Sequence, residues 1–247
     1  MKAILTYHSI DDSPSAISIA PDAFKRHVAW LASGAVRVVS LDELMALPES
    51  ADAVALTFDD GFVSTGEIAA PLLAKHRLPA TVFVVTDHVG GTNAWRGACA
   101  QDIPTLPLMD WPALGQLAES GVAIGAHTRT HPALPELEAT AIVDEIGGSA
   151  DRIERELGVR PTAFSYPYGA VTDAVARAVA SEFRWAVTTE LRIVGTGEDP
   201  HALPRLDMYY FRAGAWLEAY GTARFRQYLW VRSQARRVRA ALVTAAE

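Results

Sequence analysis

Short apolar, β-branched runs recur along the chain at 3–7, 36–39, 53–58, 80–85, 122–126, 162–165, 185–188 and 203–206. Longer helix-like segments lie between and after them, at 21–32, 41–47, 66–76, 111–120, 138–157 and 173–181. This alternation predicts a parallel α/β fold. About eight strands with intervening helices favour a barrel, complete or distorted, over an open sheet. The punctuation agrees: Ser40 and Asp110 precede helical runs as N-caps, Pro112 is tolerated in a first turn, and Gly121 and Gly158 fit C-terminal stops. Two long loops stand out, 90–107 carrying Trp95 and the Gly-rich 193–200, and loops of this length in compact domains are often functional.

After the last strand the character changes. The stretch 215–246 is rich in alanine and arginine and has no proline, with Arg224, Arg226, Arg232, Arg236, Arg237 and Arg239. It predicts one or two terminal helices docked through Trp216, Leu217, Tyr220, Phe225, Leu229 and Trp230. The arginines then face solvent, as a solvated basic face or as a peripheral contact for an anionic surface or an acidic partner. The expected division is a barrel over 1–213 and a basic helical segment over 214–247.

Composition narrows the function classes. The 247 residues are half apolar, enough for one substantial core. A net charge of −7 supplies no basic field for nucleic acid, so none is expected as a partner. The single cysteine, Cys99, cannot form an internal disulfide. The segment from Met1 to His8 lacks the apolar length of a secretory signal. No window reaches the roughly 20 apolar residues of a membrane span. The expected location is cytoplasmic.

Three motifs carry chemistry. At 56–61, Asp59 and Asp60 close an apolar strand just before Gly61. The C-terminal ends of barrel strands are where chemistry usually sits. Two carboxylates this close repel unless one binds a cation and the other serves as a base; taken alone, the pair also reads as helix-capping aspartates. At 125–132, His127 and His131 stand four apart after another strand. On a turn or a first helical turn that spacing shares a face, which suits two imidazoles on one cation. Two histidines and one carboxylate leave positions open for water and substrate, as in catalytic rather than structural sites. At 164–169, Pro167 and Gly169 constrain a turn that can point the Tyr168 backbone N–H into the site, a donor suited to a developing oxyanion; in isolation it is a plain turn.

In this order the three motifs resemble the polysaccharide deacetylase family, the NodB-homology or carbohydrate esterase 4 group, over roughly residues 3–210. Thr57-Phe58-Asp59-Asp60-Gly61 and His127-Thr128-x-x-His131-Pro132 look like its first two motifs, and Ser165-Tyr166-Pro167-Tyr168-Gly169 like a variant of its third. The resemblance implies a distorted (β/α) barrel of about seven strands, here with a C-terminal helical extension, and one divalent metal ion, usually zinc. It implies Asp59 as general base, Asp60, His127 and His131 as metal ligands, and the Tyr168 N–H as oxyanion donor. The implied substrate is an N-acetylated amino-sugar glycan or glycan precursor. The absence of a signal favours a cytoplasmic donor or precursor over a finished polymer. Hydrolysis of another non-peptide C–N bond and non-catalytic carbohydrate binding are the alternatives.

Two departures from the family pattern shape further expectations. Ser165 stands where many members have an arginine that orients the base, and Arg205, on a late strand, is placed to reach across the barrel and hold Asp59 ionised. The late Leu-x-His motif that supplies the general acid is missing. His8, His201 and Asp207 are the candidates for that role. His201 precedes its strand and should lie at the far mouth, Asp207 needs strong desolvation to donate, and His8 closes the first strand on the catalytic side. His8 is therefore the expected acid.

Overall fold

The computed structural model describes residues 1–95, 102–213 and 215–244. Cys99 and Gly214 fall outside the described residues, as do the side chains of Arg237 and Arg239. In chain order the elements are β1 (Lys2–Tyr7), β2 (Ser9–Ile10), β3 (Ser18–Ile19), α1 (Pro21–Ala32), β4 (Arg37–Val38), α2 (Leu41–Ala46), β5 (Ala53–Phe58), α3 (Ala70–His76), β6 (Ala80–Val84), α4 (Trp111–Glu119), β7 (Ala123–Ala126), α5 (Ala139–Leu157), β8 (Ala163–Ser165), α6 (Asp173–Ala180), β9 (Trp185–Val187), β10 (Leu206–Asp207) and α7 (Ala223–Thr244).

Seven parallel strands, in the order β10-β1-β5-β6-β7-β8-β9, curl into a distorted barrel, with β4 paired to the start of β5. The segment 203–207 joins the two edges. The Leu203 N–H donates to Ala186 O (2.9 Å) and the Thr188 N–H to Leu203 O (2.8 Å), before Leu206 and Asp207 pair with Leu5 and Thr6 of β1.

Strand alternation sorts residues between two environments. Ala3, Leu5 and Tyr7 of β1, Val54, Leu56 and Phe58 of β5, and Val82 and Val84 of β6 pack outward against the helices. Their neighbours Ile4, Ala53, Ala55 and Phe83 join Ala163, Val187 and Leu203 in a separate inner cluster. Along this inner face the side chains turn polar toward the C-terminal end, through Thr6 and Thr57 to Asp59, Ser165 and Arg205, all buried. Gly125 of β7 has no side chain for a packing reason: a Cβ there would fall 2.5 Å from the Phe83 ring.

Several elements differ from the sequence expectation. The region 66–76 begins with a widened π-type turn at Thr65–Ala69, and the regular helix starts only at Ala70; Pro71, lacking an N–H, cannot continue an α-helical ladder from upstream. Strand 203–206 is interrupted by Pro204, so Leu203 makes one isolated bridge and the ladder resumes at Leu206. The loop after His8 contains the small β2–β3 pair. The Ser40 and Asp110 caps form as expected, accepting from Glu43 N and Ala113 N.

At the C-terminus, Leu217, Phe225 and Leu229 are buried in the main core, and Trp216 stacks on Tyr228. Trp230 does not dock: it is 64% exposed. The reason is helical phase, since Phe225 and Leu229 stand four apart on the inner face and Trp230 is one residue, about 100°, past it. Among the described residues no helix is long and apolar enough to cross a membrane.

Candidate active site

Asp59 continues the inward parity of β5, and Arg205 meets it inside the barrel. Nη1 of Arg205 donates to Oδ1 of Asp59 (2.7 Å) and Nη2 to Oδ2 (2.6 Å), a two-point grip. The guanidinium is itself held by Thr188 O (Nε, 2.9 Å), Thr6 Oγ1 (3.0 Å) and Ser165 Oγ (3.1 Å). Ser165 also donates to Asp59 Oδ2 (3.2 Å). Burial opposes ionisation of Asp59, but the Arg205 charge and hydrogen bonds outweigh it and hold the carboxyl well below its ordinary range.

Asp60 breaks that parity. Alternation would point it outward, but its backbone is left-handed (φ 71°) and Gly61 follows with φ 77°, a conformation costly for aspartate that ends the strand and brings the carboxylate to the same cavity as Asp59. It faces His127 and His131: Oδ1 lies 3.5 Å from Nε2 of the first and 3.7 Å from Nε2 of the second. One ligand atom from each of the three residues falls within 4.8 Å of the others, and all three residues are buried.

Whether these residues fit a cation can be judged from their hydrogen bonds. Nδ1 of His127 lies 2.7 Å from Ser165 O; a carbonyl only accepts, so this nitrogen carries a proton and Nε2 is the ring atom left to face Asp60. Asp60 Oδ1 is buried with no hydrogen-bond partner. Nε2 of His127 and this bare carboxylate oxygen converge at 3.5 Å, which calls for positive charge between them, a proton or a metal cation. Burial disfavours charge on His127, yet Asp60 and Asp59 raise its affinity for a proton. Burial, with the neighbouring His127, pushes His131 down to about 3 and keeps it a neutral donor. The donor set of two imidazoles and one carboxylate fits a borderline divalent ion.

The turn bearing the histidines is clamped from below. Glu145 of α5 accepts from the backbone N–H groups of Arg129 (2.8 Å) and Thr130 (2.9 Å) and from Thr130 Oγ1 (2.7 Å). Thr128 Oγ1 accepts from His131 N (2.9 Å). Thr128 and His131 both adopt positive φ, 66° and 60°. Of the turn or first helical turn that the four-residue spacing allows, the chain forms the turn: a strained loop brings its two rings together, 4.8 Å apart.

The third motif forms a tight turn in which Tyr168 is left-handed (φ 60°, ψ 1°). Gly169 is also left-handed, and a Cβ there would fall 2.2 Å from Thr189 Oγ1. The Tyr168 ring rests edge-on against His131 at 4.7 Å, and Trp95 stacks on the same imidazole at 4.6 Å.

A cavity of about 760 Å³ collects these groups: Asp59, Asp60, His127, His131, Tyr168, Trp95 and His8 all line it. His8 is half-buried, with Nε2 3.8 Å from Asp59 Oδ2. Asp207 sits at the same end of the barrel, in a small cleft shared with His8, where its side chain accepts from Tyr209 N and burial raises its carboxyl. His201 is elsewhere, its Nε2 3.0 Å from Phe183 O ahead of β9. Ile103, Ala133 and Glu136 also line the cavity, and no motif or spacing marks them. Glu145 escaped the sequence reading too, lying on an otherwise ordinary amphipathic helix.

A parallel α/β barrel with this carboxylate–imidazole cluster at the C-terminal ends of its strands has the layout of an enzyme. The profile of the family described as Polysaccharide deacetylase matches residues 46–184, and the chain belongs to that family of carbohydrate deacetylases. A poly-β-1,6-N-acetyl-D-glucosamine N-deacetylase of Staphylococcus epidermidis is 24% identical over 203 residues, covering 76% of this chain and 67% of the relative. Among solved structures, IcaB from Ammonifex degensii aligns with a TM-score of 0.74 at 22% identity, over 88% of this chain and 97% of that one. Streptococcus pyogenes deacetylase PplD in complex with acetate gives 0.70 at 22% identity, over 83% and 91%. These two likenesses bear on the fold.

Proposed function

We propose that this protein removes acetyl groups from the amino sugars of a glycan or glycan precursor, using one divalent ion, expected to be zinc, held by Asp60, His127 and His131. The observation that carries this reading is the contrast between two adjacent buried carboxylates: Asp59 is neutralised by Arg205, whereas Asp60 faces two imidazoles with an oxygen left unbonded. When bound, the cation would polarise the amide carbonyl and acidify a water molecule.

The chain's own groups supply the rest. Asp59 accepts the proton of the attacking water, and Arg205 with Ser165 fixes its orientation and keeps it ionised beforehand. The Tyr168 backbone N–H donates to the carbonyl oxygen as negative charge develops there. His8, on the cavity wall beside Asp59, gives a proton to the departing amine. Trp95 and Tyr168 brace His131 and offer aromatic surface to a sugar ring. The name of the Staphylococcus epidermidis relative supports a β-linked N-acetylglucosamine polymer as the substrate class.

The test is mass spectrometry of N-acetylglucosamine oligomers of increasing length incubated with metal-loaded protein. Loss of one acetyl mass per event, with acetate released and the reaction abolished by Asp59→Asn, is expected. Glycan binding without acetate release at any length would make the protein a carbohydrate-binding member of the fold.

A further inference from the structure

The outer face of α7 has no role in the chemistry above. The helix spans 22 residues and contains six arginines and no acidic residue, in a chain whose net charge is −7. Its inner face is accounted for: Phe225 and Leu229 are buried, Arg232 lies over the Tyr228 and Tyr210 rings, and Arg236 over Tyr210. The outer face carries Trp230, Val231 and Val238, each more than half exposed. Arg224 and Arg226 flank it at the first turns, also exposed, with Arg224 over the Trp216 ring at 4.6 Å and Arg226 donating to Gly221 O at 2.9 Å. Arg224, Arg226, Arg232 and Arg236 form no ion pair with any described acidic residue.

From this arrangement we infer that the outer face of α7 docks on an anionic lipid surface. An indole with small apolar neighbours, bordered by arginines, suits the headgroup boundary, where the indole sits among acyl ends and guanidinium groups reach phosphates. A second copy of the chain is disfavoured, because two such helices face to face would oppose arginine to arginine without an acid to pair them. The acidic remainder of the chain is repelled by the same surface, so the helix approaches first and orientation is fixed. Docking has a consequence for access. Ser233 and Arg236 of α7 line a cavity of about 370 Å³ together with Thr189, and Thr189 also lines the catalytic cavity. A docked helix therefore lies next to a cavity that adjoins the catalytic one.

The test needs no turnover, so its outcome is independent of the deacetylase reading. The full chain is sedimented with vesicles of phosphatidylcholine alone and of phosphatidylcholine with about one-third phosphatidylglycerol, at low and high salt. Binding is expected only to the anionic vesicles, weakened by salt. It should fall about tenfold in Trp230→Ser, through loss of the apolar insertion, and again in Arg224→Gln with Arg226→Gln, through loss of charge. The melting temperature of Trp230→Ser should match the parent, and that of Arg224→Gln with Arg226→Gln should stay far enough above the assay temperature for the folded chain to be compared. Equal binding to both vesicle types, no binding at low salt, or binding to polyglutamate but not to vesicles would overturn the inference. So would self-association that Trp230→Ser abolishes.

Discussion

The guanidinium of Arg205 grips both carboxylate oxygens of Asp59 at 2.7 and 2.6 Å, joining residues 146 apart in sequence inside the barrel. Removing it strands a buried charge. Arg205→Met should destabilise the fold by about 3–5 kcal/mol at neutral pH. The folded carboxyl of Asp59 is depressed, so its stabilising contribution is present above the unfolded value of about 3.9 and is lost as pH falls toward the depressed folded one. Urea unfolding should therefore show a wide gap between parent and Arg205→Met at pH ~7 that narrows below pH ~4. A gap independent of pH would mean that Arg205 acts by packing alone.

Glu145 touches none of the three proposed ligands, yet it holds the loop between them through three hydrogen bonds. Glu145→Gln keeps the size of the side chain but loses the charge that two backbone N–H groups point at. Zinc affinity, measured by competition with a chromogenic chelator, should weaken about 10–100-fold, as for other supports of ligand geometry. Unchanged affinity would show that the strained loop holds its shape unaided.

His8 stands at the cavity wall with Asp59 on one side and the cleft of Asp207 on the other. As the acid, His8→Ala should retain the metal and substrate binding, lower kcat by about 10²–10⁴-fold, and erase the alkaline limb of the pH–rate profile. A retained limb with near-normal kcat would transfer the role to Asp207, whose carboxyl burial raises.

Much of this site was legible in the sequence because its groups follow strands whose periodicity is plain. Asp59, Asp60, His127 and Tyr168 each come just after an apolar run, and parallel strands bring such positions to one end. Arg205 could be placed because a late strand in a parallel barrel returns beside the first. What escaped depends on three-dimensional detail. The left-handed backbone at Asp60, Thr128 and His131 has no glycine to announce it. The length of the 90–107 loop and Trp95 stand out in the sequence, but among its described residues Asn93 and Ile103 also reach the cavity and follow no period. Hydrophobicity alone assigns Trp230 to the interface, whereas helical phase turns it to solvent.

The terminal segment should nonetheless matter for stability. Phe225 is buried against Phe211, at 5.5 Å between ring centroids, and the Tyr220 hydroxyl donates to Met1 O at 2.8 Å. Phe225→Ala should cost about 3–5 kcal/mol in thermal or urea unfolding, and truncation before residue 214 at least as much. A truncated protein with unchanged stability would show that the barrel over 1–213 stands alone.

The central claim is that Asp60 binds a cation while its neighbour Asp59 moves a proton. Metal content and turnover measured side by side on the parent, His127→Ala and Asp59→Asn separate the two jobs. The account predicts about one divalent ion per chain in the parent, loss of both metal and activity in His127→Ala, and retention of metal without turnover in Asp59→Asn. Full activity in exhaustively chelated, metal-free protein would contradict it.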